Sequence, residues 1–168
     1  NDAWYCSAVS TLSAMGIISG YPDATFRPNA SITRAEFAAI ATRFDVNGDK
    51  TPASFNDIAG HWAKDEIAVA ANNGWVNGYE DGSFRPQNKI TRAETMSLVN
   101  RVLNRKPETA EDLLENMTKW TDNADTNAWY YLAVQEATNS HYYEYEENSQ
   151  YEKWTELRET RDWSELDK

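Results

Sequence analysis

The chain has 168 residues, enough for one ordinary domain or several small repeats with a shared core, and 12% of them are aromatic, which is not typical of a disordered chain. The formal net charge of -11 argues against nucleic acid as a partner, since phosphate backbones reward basic surfaces. One cysteine and two histidines exclude a disulfide framework and are too few for a zinc site, and no apolar run reaches membrane-spanning length. We therefore expect no metal, no cofactor and no membrane insertion.

The first predicted elements belong to an internal repeat, in which residues 4–44 align with residues 62–102 at a constant offset. The first half of each copy predicts a helix, over about 4–15 and 62–73. Gly16 and Gly74 follow these helices, where a left-handed residue commonly ends a helix. A repeat of this length indicates an array of supersecondary units. The matched positions include Trp4/Trp62, Gly16/Gly74, Gly20/Gly78, Tyr21/Tyr79, Asp23/Asp81, Phe26/Phe84, Arg27/Arg85 and Pro28/Pro86.

The second helix of each copy begins at the tetrapeptide Thr-Arg-Ala-Glu, found at 33–36 and again at 91–94. Threonine at the N-cap and glutamate three residues later predict a capping box. Arg34 and Arg92 fall at the first helical position, where a cation opposes the helix dipole unless an anion joins it. The pair therefore indicates a carboxylate or phosphate site at the helix start, with a solvated or ion-paired surface arginine as the alternative.

A third copy begins near Trp129, because residues 127–130 and 133–134 reproduce residues 2–5 and 8–9 nearly letter for letter. Beyond Ala137 the pattern degrades: a polar, tyrosine-rich run at 141–151 replaces the Gly-Tyr loop, and 160–162 is at most a worn helix start that contains Arg161. The predicted organisation is repeat 1 at 1–46, truncated at its N-terminal end, repeat 2 at 55–104 and degenerate repeat 3 at 118–168, with linkers 47–54 and 105–117.

The linkers are predicted to carry little chemistry. The first resembles a calcium loop through Asp45, Asn47 and Asp49, but Lys50 stands where the loop needs glycine and Asn56 where it needs glutamate. A polar turn is therefore the favoured interpretation. The second linker is expected to add a short helix through Leu113 and Leu114.

These motifs resemble the S-layer homology (SLH) domain: an aromatic-x-Asp lead-in, tryptophan at the start of the first helix, Gly-Tyr, Phe-Arg-Pro and Ile-Thr-Arg-Ala-Glu, present twice with a degenerate third copy. The resemblance implies an all-α fold of three helix-loop-helix repeats in a pseudo-threefold arrangement around a central three-helix bundle. It also implies a non-enzymatic module of the bacterial cell surface, cell wall or S-layer. Such modules bind peptidoglycan-linked secondary cell wall polysaccharide non-covalently in grooves between repeats, often through pyruvylated N-acetylmannosamine.

The residue chemistry suits that ligand. A pyruvyl ketal carries a carboxylate for an arginine, the sugar offers an apolar face for tryptophan, and its hydroxyls suit a short carboxylate such as Asp57. Glycine would allow close approach of a saccharide to the backbone. Core packing for the tryptophans and helix or turn capping for Asp57 remain open alternatives. We expect the groove shared by repeats one and two to be the best formed, then that of repeats two and three. The candidate ligand-binding residues are Arg34, Arg92, Arg161, Trp4, Trp62, Trp129, Asp57, Asp122, Gly20 and Gly78.

Two other functions compete with the anchor. A protein–protein docking or S-layer self-assembly module without glycan binding would use the aromatic third repeat to contact S-layer neighbours. A hydrolase would need a carboxylate pair in contrasting environments, whereas the acidic residues here have the positions of caps and solvated faces. No nucleophile motif or phosphate loop occurs in the sequence, which disfavours an enzyme.

Overall fold

The computed structural model describes residues 3, 5–45, 47–145, 147 and 149–160. The chain forms two compact units: a first unit of residues 1–90 and a second unit that begins at Thr91. Within the described ranges, no helix combines the length and apolar character needed to cross a bilayer. The helices are α1 Cys6–Ala14, α2 Arg34–Thr42, α3 Lys64–Asn72, α4 Arg92–Val102 and α5 Tyr131–Thr138, with a 3-10 helix at Ala110–Asp112 and strands β1 His141–Tyr145 and β2 Glu152–Leu157.

The core of the first unit forms where α2 packs against α3. Ala38 on α2 and Ala70 on α3 have no solvent exposure, and small side chains of this kind let two helices approach closely. Ile67 and Phe84 are also fully buried. The Phe-Arg-Pro segment of the second repeat therefore contributes to the same core as the helices.

The predicted helix ends are confirmed. Thr33 and Thr91 are N-caps, and in each the threonine side chain and the glutamate three residues later bond reciprocally to close a capping box. Gly16 and Gly74 have φ values of 73° and 70°, the left-handed conformation expected after a helix. Each of these helix ends is determined by four or five neighbouring residues, so it can be predicted from the sequence alone.

The Gly-Tyr loops are tight turns. The Tyr79 N–H donates to the Ser83 carbonyl over 2.8 Å, and the Tyr21 N–H donates to the Thr25 carbonyl over 2.7 Å. A Cβ on Gly78 would lie 2.4 Å from the Phe55 ring and 2.8 Å from the Ser83 oxygen. Packing within the turn is thus sufficient to require glycine there.

In the second unit, α4 packs on α5, and an antiparallel hairpin of β1 and β2 completes the structure. Its apolar core consists of Leu113, Met117, Tyr131 and Trp154. The hairpin replaces the Gly-Tyr loop missing from the third repeat and was not predicted from sequence. The short helix expected through Leu113 and Leu114 lies earlier, at Ala110–Asp112, with Leu113 as its C-cap.

The all-α, pseudo-threefold arrangement and the repeat boundaries stay predictions. The hairpin adds a β element that an all-helical expectation does not include. The division between the two compact units falls between Ile90 and Thr91, inside the second predicted repeat rather than in a linker.

Candidate functional site

Arg34 lies buried at the start of α2, with 8% of its surface exposed. Its Nε donates to the Phe84 carbonyl over 2.9 Å, and its Nη2 donates to the Asn77 carbonyl over 3.1 Å. The guanidinium carbon sits 4.7 Å from the centroid of the Phe84 ring and 4.9 Å from that of Tyr79. The guanidinium thus ties α2 to the loop of the second repeat.

The helix N-terminus beside Arg34 is also engaged. The backbone N–H of Arg34 donates to the Asn88 carbonyl over 2.9 Å, and that of Ala35 donates to the Pro86 carbonyl over 3.1 Å. Carbonyl oxygens therefore fill the place that the sequence analysis gave to an anion at this helix start. This geometry favours a structural role for Arg34, and its role in ligand binding stays a prediction.

Arg92 occupies the equivalent position in the second copy but is exposed. Among the residues that the structure describes, its guanidinium makes no ion pair or hydrogen bond. The same tetrapeptide with the same capping box thus produces one buried arginine and one that solvent and ligands can reach. Of the two, only Arg92 has the accessibility that the predicted anion site requires.

The tryptophans before the first helices are exposed. Trp62 has 62% of its surface accessible and Trp129 has 66%, so neither belongs to a core. The Trp62 ring lies 5.5 Å from that of His61, and the Trp129 ring meets Tyr130 edge-on at 5.3 Å. Core packing, the alternative interpretation for these two residues, does not describe them. Trp4 and Arg161 lie outside the described residues.

Asp57 has a structural task. Its two carboxylate oxygens accept from the backbone N–H groups of Phe84 and Arg85, over 2.8 and 2.7 Å. It thereby holds Arg85 in a left-handed conformation with φ 56°. Asp122, at the corresponding lead-in of the third repeat, is exposed.

A cavity of about 670 Å³ opens on the first unit. Among the predicted residues that the structure describes, the cavity wall includes Gly20 and Trp62, whereas Arg34, Arg92, Trp129, Asp57, Asp122 and Gly78 are not part of it. A Cβ on Gly20 would lie 2.8 Å from the Thr25 oxygen, so the turn already accounts for this glycine. We call this cavity the groove; its wall consists of Ile18, Ser19, Gly20, Tyr21, Pro22, Phe26, Arg27, Pro28, Ala30, Ile32, Glu36, Ala39, Ile40, Arg43 and Trp62.

Two arginines of the groove, Arg27 and Arg43, were missed in the sequence analysis as site residues. Arg27 pairs with Asp23, and hydrogen bonds from Thr25 and Arg27 lower the pKa of Asp23 to about 2. Arg43 is exposed, donates from Nη1 to the Ile17 carbonyl, and has no carboxylate partner among the described residues. The signal available was the repeat itself, which pairs Arg27 with Arg85 and Arg43 with Arg101.

Glu36 is the carboxylate in the groove wall. It accepts from the Thr33 N–H over 2.7 Å and from the Tyr21 hydroxyl over 3.1 Å. Burial raises the pKa of Glu36, but the hydrogen bonds from Thr33 and Tyr21 outweigh it, so the net shift is downward. Glu36 is therefore an ionised cap with its oxygens in use, and Arg43 is the cation that an acidic ligand in the groove would meet.

The family model of the S-layer homology domain matches residues 1–38 and 54–96. The chain is 37% identical over 153 residues to a cellulosome-anchoring protein of Acetivibrio thermocellus, a match that covers 88% of this chain and 33% of that protein. It is 33% identical over 168 residues to cell surface glycoprotein 1 of the same organism, covering 93% and 7%. It is 34% identical over 112 residues to a surface layer protein of Brevibacillus choshinensis, covering 63% and 10%.

The chain belongs to the S-layer homology domain family. It spans about a third of the length of the anchoring protein and a smaller share of the other two. The predicted location at the bacterial cell surface or cell wall agrees with this membership and is confirmed.

Proposed function

We propose that this chain is a non-covalent cell-wall anchor that holds an acidic secondary cell wall glycan, in particular one with pyruvylated N-acetylmannosamine. The observation that carries the proposal is the groove of the first unit, which is lined both by the exposed Trp62 and by Arg43, an arginine with no carboxylate partner among the described residues. An anchor of this kind fits a module that the cellulosome-anchoring protein shares over a third of its length.

The shape and lining of the groove suit a sugar. Its volume falls within the range of about 300–1,000 Å³ that ligand pockets occupy. Trp62 offers an accessible aromatic face to the C–H side of a pyranose ring, and Phe26 is partly exposed beside the same space. Tyr21 and Ser19 add hydroxyl groups that can pair with sugar hydroxyls.

The charge of the groove suits an acidic sugar. The whole chain carries a formal net charge of -11, which repels anions, so a bound carboxylate needs a local cation. Arg43 supplies a planar donor fork that matches a carboxylate, whereas Arg27 is already paired with Asp23. Arg43 is therefore the arginine of the groove whose charge is available to bind a pyruvyl carboxylate.

The described residues of the groove wall do not include the pair of carboxyl groups that glycan hydrolysis needs. A glycosidase places two carboxyl groups on either side of the scissile bond. Among the described residues of the groove wall the only carboxylate is Glu36; its Oε2 serves the capping box and its Oε1 accepts from the Tyr21 hydroxyl. We therefore propose binding without catalysis.

A second candidate function is a docking or S-layer assembly contact, without glycan binding. The observation in its favour is the set of exposed aromatic residues on the second unit, Trp129, Tyr142 and Tyr145. This function predicts a concentration-dependent increase in mass by sedimentation, which the groove variants described below would not alter.

The proposal is tested by calorimetric titration with purified wall polymer, before and after chemical removal of pyruvate. We expect binding that disappears with the ketal. Arg43→Gln should weaken binding by about 1.5–3 kcal/mol, the range for hydrogen bonds to a charged group, while Arg158→Gln on the second unit serves as the matched control. Full affinity for polymer without pyruvate, or full affinity in Arg43→Gln, would overturn the assignment of the acidic sugar to the groove.

A further inference from the structure

The second unit contains a buried cluster of four ionisable side chains that anchoring does not use. Glu136 is on α5, His141 on β1, Glu152 on β2, and Arg105 follows α4. The side chains of the first three are at most 3% exposed, and that of Arg105 is 28% exposed. We call these four residues the clasp, because they join the hairpin to the two helices.

The hydrogen bonds of the clasp converge on its centre. Arg105 Nε donates to Glu152 Oε2 over 2.7 Å, and its Nη2 lies 2.9 Å from Glu136 Oε1 and 2.8 Å from His141 Nε2. The Trp154 indole N–H donates to Glu136 Oε2 over 2.8 Å, and the Trp154 ring stacks on His141 at 3.9 Å. Arg105 thus contacts all three of the other side chains, so the clasp supplies its own cation.

One hydrogen-bond acceptor of the clasp has no donor among the described residues. Glu152 Oε1 is buried and has no hydrogen-bond partner among the described residues; it lies 3.5 Å from His141 Nε2. His141 Nδ1 is 2.7 Å from the Asn139 carbonyl, which can only accept, so Nδ1 carries a proton. A neutral His141 therefore has its lone pair on Nε2, where it accepts from Arg105 Nη2. A second ring proton would replace that bond and point at Glu136 Oε2 and Glu152 Oε1, which lie 3.2 and 3.5 Å from Nε2.

The charges of the clasp do not balance without that proton. One guanidinium and two carboxylates sum to a net charge of -1 in a buried site, which is costly. We propose that the clasp holds one exchangeable proton among His141, Glu136 and Glu152, and that the hairpin stays fastened to the helices only while that proton is held. The clasp is then a neutral set of four groups, and the loss of the proton at alkaline pH opens it.

The other charged and titratable groups near the clasp do not replace this proton. On β1, the Tyr143 ring lies 4.0 Å from the Arg105 guanidinium and the Tyr145 hydroxyl donates to the Asn104 carbonyl. On the 3-10 helix, the Asp112 carboxylate accepts from Thr109. After α4, the Lys106 carbonyl accepts from the Glu152 N–H, and its ammonium lies over the Tyr151 ring.

The direction of the pKa shifts agrees with a retained proton. Burial lowers the pKa of His141, but its hydrogen bonds to the two glutamates outweigh burial and raise it to about 9. Burial raises the pKa of Glu136. Burial also acts to raise the pKa of Glu152, but hydrogen bonds with His141, Glu136 and Arg105 outweigh it and lower that pKa, so His141 and Glu136 are the groups that favour the proton. In the unfolded chain a histidine has a pKa of about 6.5. The stabilisation that the retained proton gives is therefore complete below about pH 6.5 and is lost as the pH rises to about 9.

The test uses the full chain labelled with 5-fluorotryptophan, in which the Trp154 signal is assigned with Trp154→Phe and followed through urea titrations from pH 6.5 to 9. We expect the unfolding equilibrium constant reported by this signal to rise about tenfold per pH unit, the dependence for one proton. Glu152→Gln removes one carboxylate, so the remaining charges of the clasp balance without a proton. The unfolding equilibrium constant of this variant should therefore not change with pH over this range. Glu156→Gln removes an exposed charge from the same strand and should retain the slope of the parent chain.

Three outcomes would overturn the proposal. The first is a parent chain whose Trp154 signal is insensitive to pH over this range. The second is a Glu152→Gln variant with the same slope as the parent. The third is a Zn²⁺-dependent stabilisation present in the parent chain and absent in Glu152→Gln, which would make the three donors a metal site.

Discussion

Arg34 and Phe84 are joined twice: the Arg34 Nε–H donates to the Phe84 carbonyl over 2.9 Å, and the guanidinium carbon lies 4.7 Å from the centroid of the Phe84 ring. Phe84 is fully buried, so this pair fastens the loop of the second repeat to the helix of the first. Arg34, the first residue that the sequence suggested for ligand binding, thus helps to hold the first unit together.

Replacing Arg34 should therefore cost stability. Arg34→Ala removes two charge-assisted hydrogen bonds and leaves the buried carbonyl of Phe84 without its donor, so we expect a loss of about 2–4 kcal/mol in the free energy of unfolding. Arg92→Ala, in the same tetrapeptide but exposed, should stay within about 0.5 kcal/mol of the parent chain. Urea unfolding followed by circular dichroism measures both. Equal stability in the two variants would contradict the structural role of Arg34.

A role of Arg92 in binding, beside that proposed for Arg43, stays a prediction from the sequence. Arg92→Ala should weaken binding to wall polymer by about 1.5–3 kcal/mol if the exposed guanidinium holds a carboxylate. Thr91→Ala, one residue away, removes the N-cap and should lower stability by about 1 kcal/mol. Calorimetric titration and urea unfolding of both variants distinguish the two effects, and unchanged affinity in Arg92→Ala would reject a carboxylate at this position.

Sequence reasoning succeeded where a few neighbouring residues decide the structure. The capping boxes at Thr33 and Thr91 need only a threonine and a glutamate three residues later, and the left-handed Gly16 needs only the end of its helix. It could not tell Arg34 from Arg92, because the difference lies in carbonyl groups about 50 residues away that reach one helix start.

The same limit applies to the two sites. Arg43 ends α2 and Trp62 precedes α3, yet both line the groove. The sequence predicted Trp62 as a ligand-binding residue but gave no sign of Arg43 beyond its repeat partner Arg101. The clasp unites Arg105, Glu136 and residues from both strands, in a segment where the repeat pattern had already faded. A hairpin with a buried charge cluster has no short sequence motif, so the sequence of the degenerate third repeat did not predict it.

Gly78 should not tolerate a side chain. A Cβ at this position would lie 2.4 Å from Phe55 Cε1 and 2.8 Å from the Ser83 carbonyl oxygen, so both the ring and the turn must move. Gly78→Ala should cost about 1–3 kcal/mol, the range for overpacking. Gly60→Ala is the matched control, since a Cβ there meets nothing within 4 Å. If unfolding shows the two variants to be equally stable, glycine at 78 is not a packing requirement.

The carboxylate of Asp81 should stay ionised into strong acid. Hydrogen bonds from the Ser83 hydroxyl and N–H, together with Arg85, lower the pKa of Asp81 to about 2. The folded form therefore gains stability above the ordinary pKa of an aspartate and loses it as the pH falls through about 2. Carbon-detected NMR of the side-chain carboxyl should show this low midpoint. Ser83→Ala removes the hydroxyl donor and should move it upward, and an ordinary midpoint in the parent chain would contradict the turn geometry.

Trp62 should matter for binding and not for folding. With 62% of its surface exposed, Trp62→Ala removes little buried area, so the free energy of unfolding should change by less than about 0.5 kcal/mol. The loss of a stacking face in the groove should lower the affinity for wall polymer at least tenfold, measured by calorimetric titration. Trp129→Ala is the matched control, since this equally exposed tryptophan belongs to the second unit and is not among the residues of the groove. A loss of affinity in Trp129→Ala alone would move the glycan site to the second unit, and a loss in neither would leave the groove without its proposed ligand.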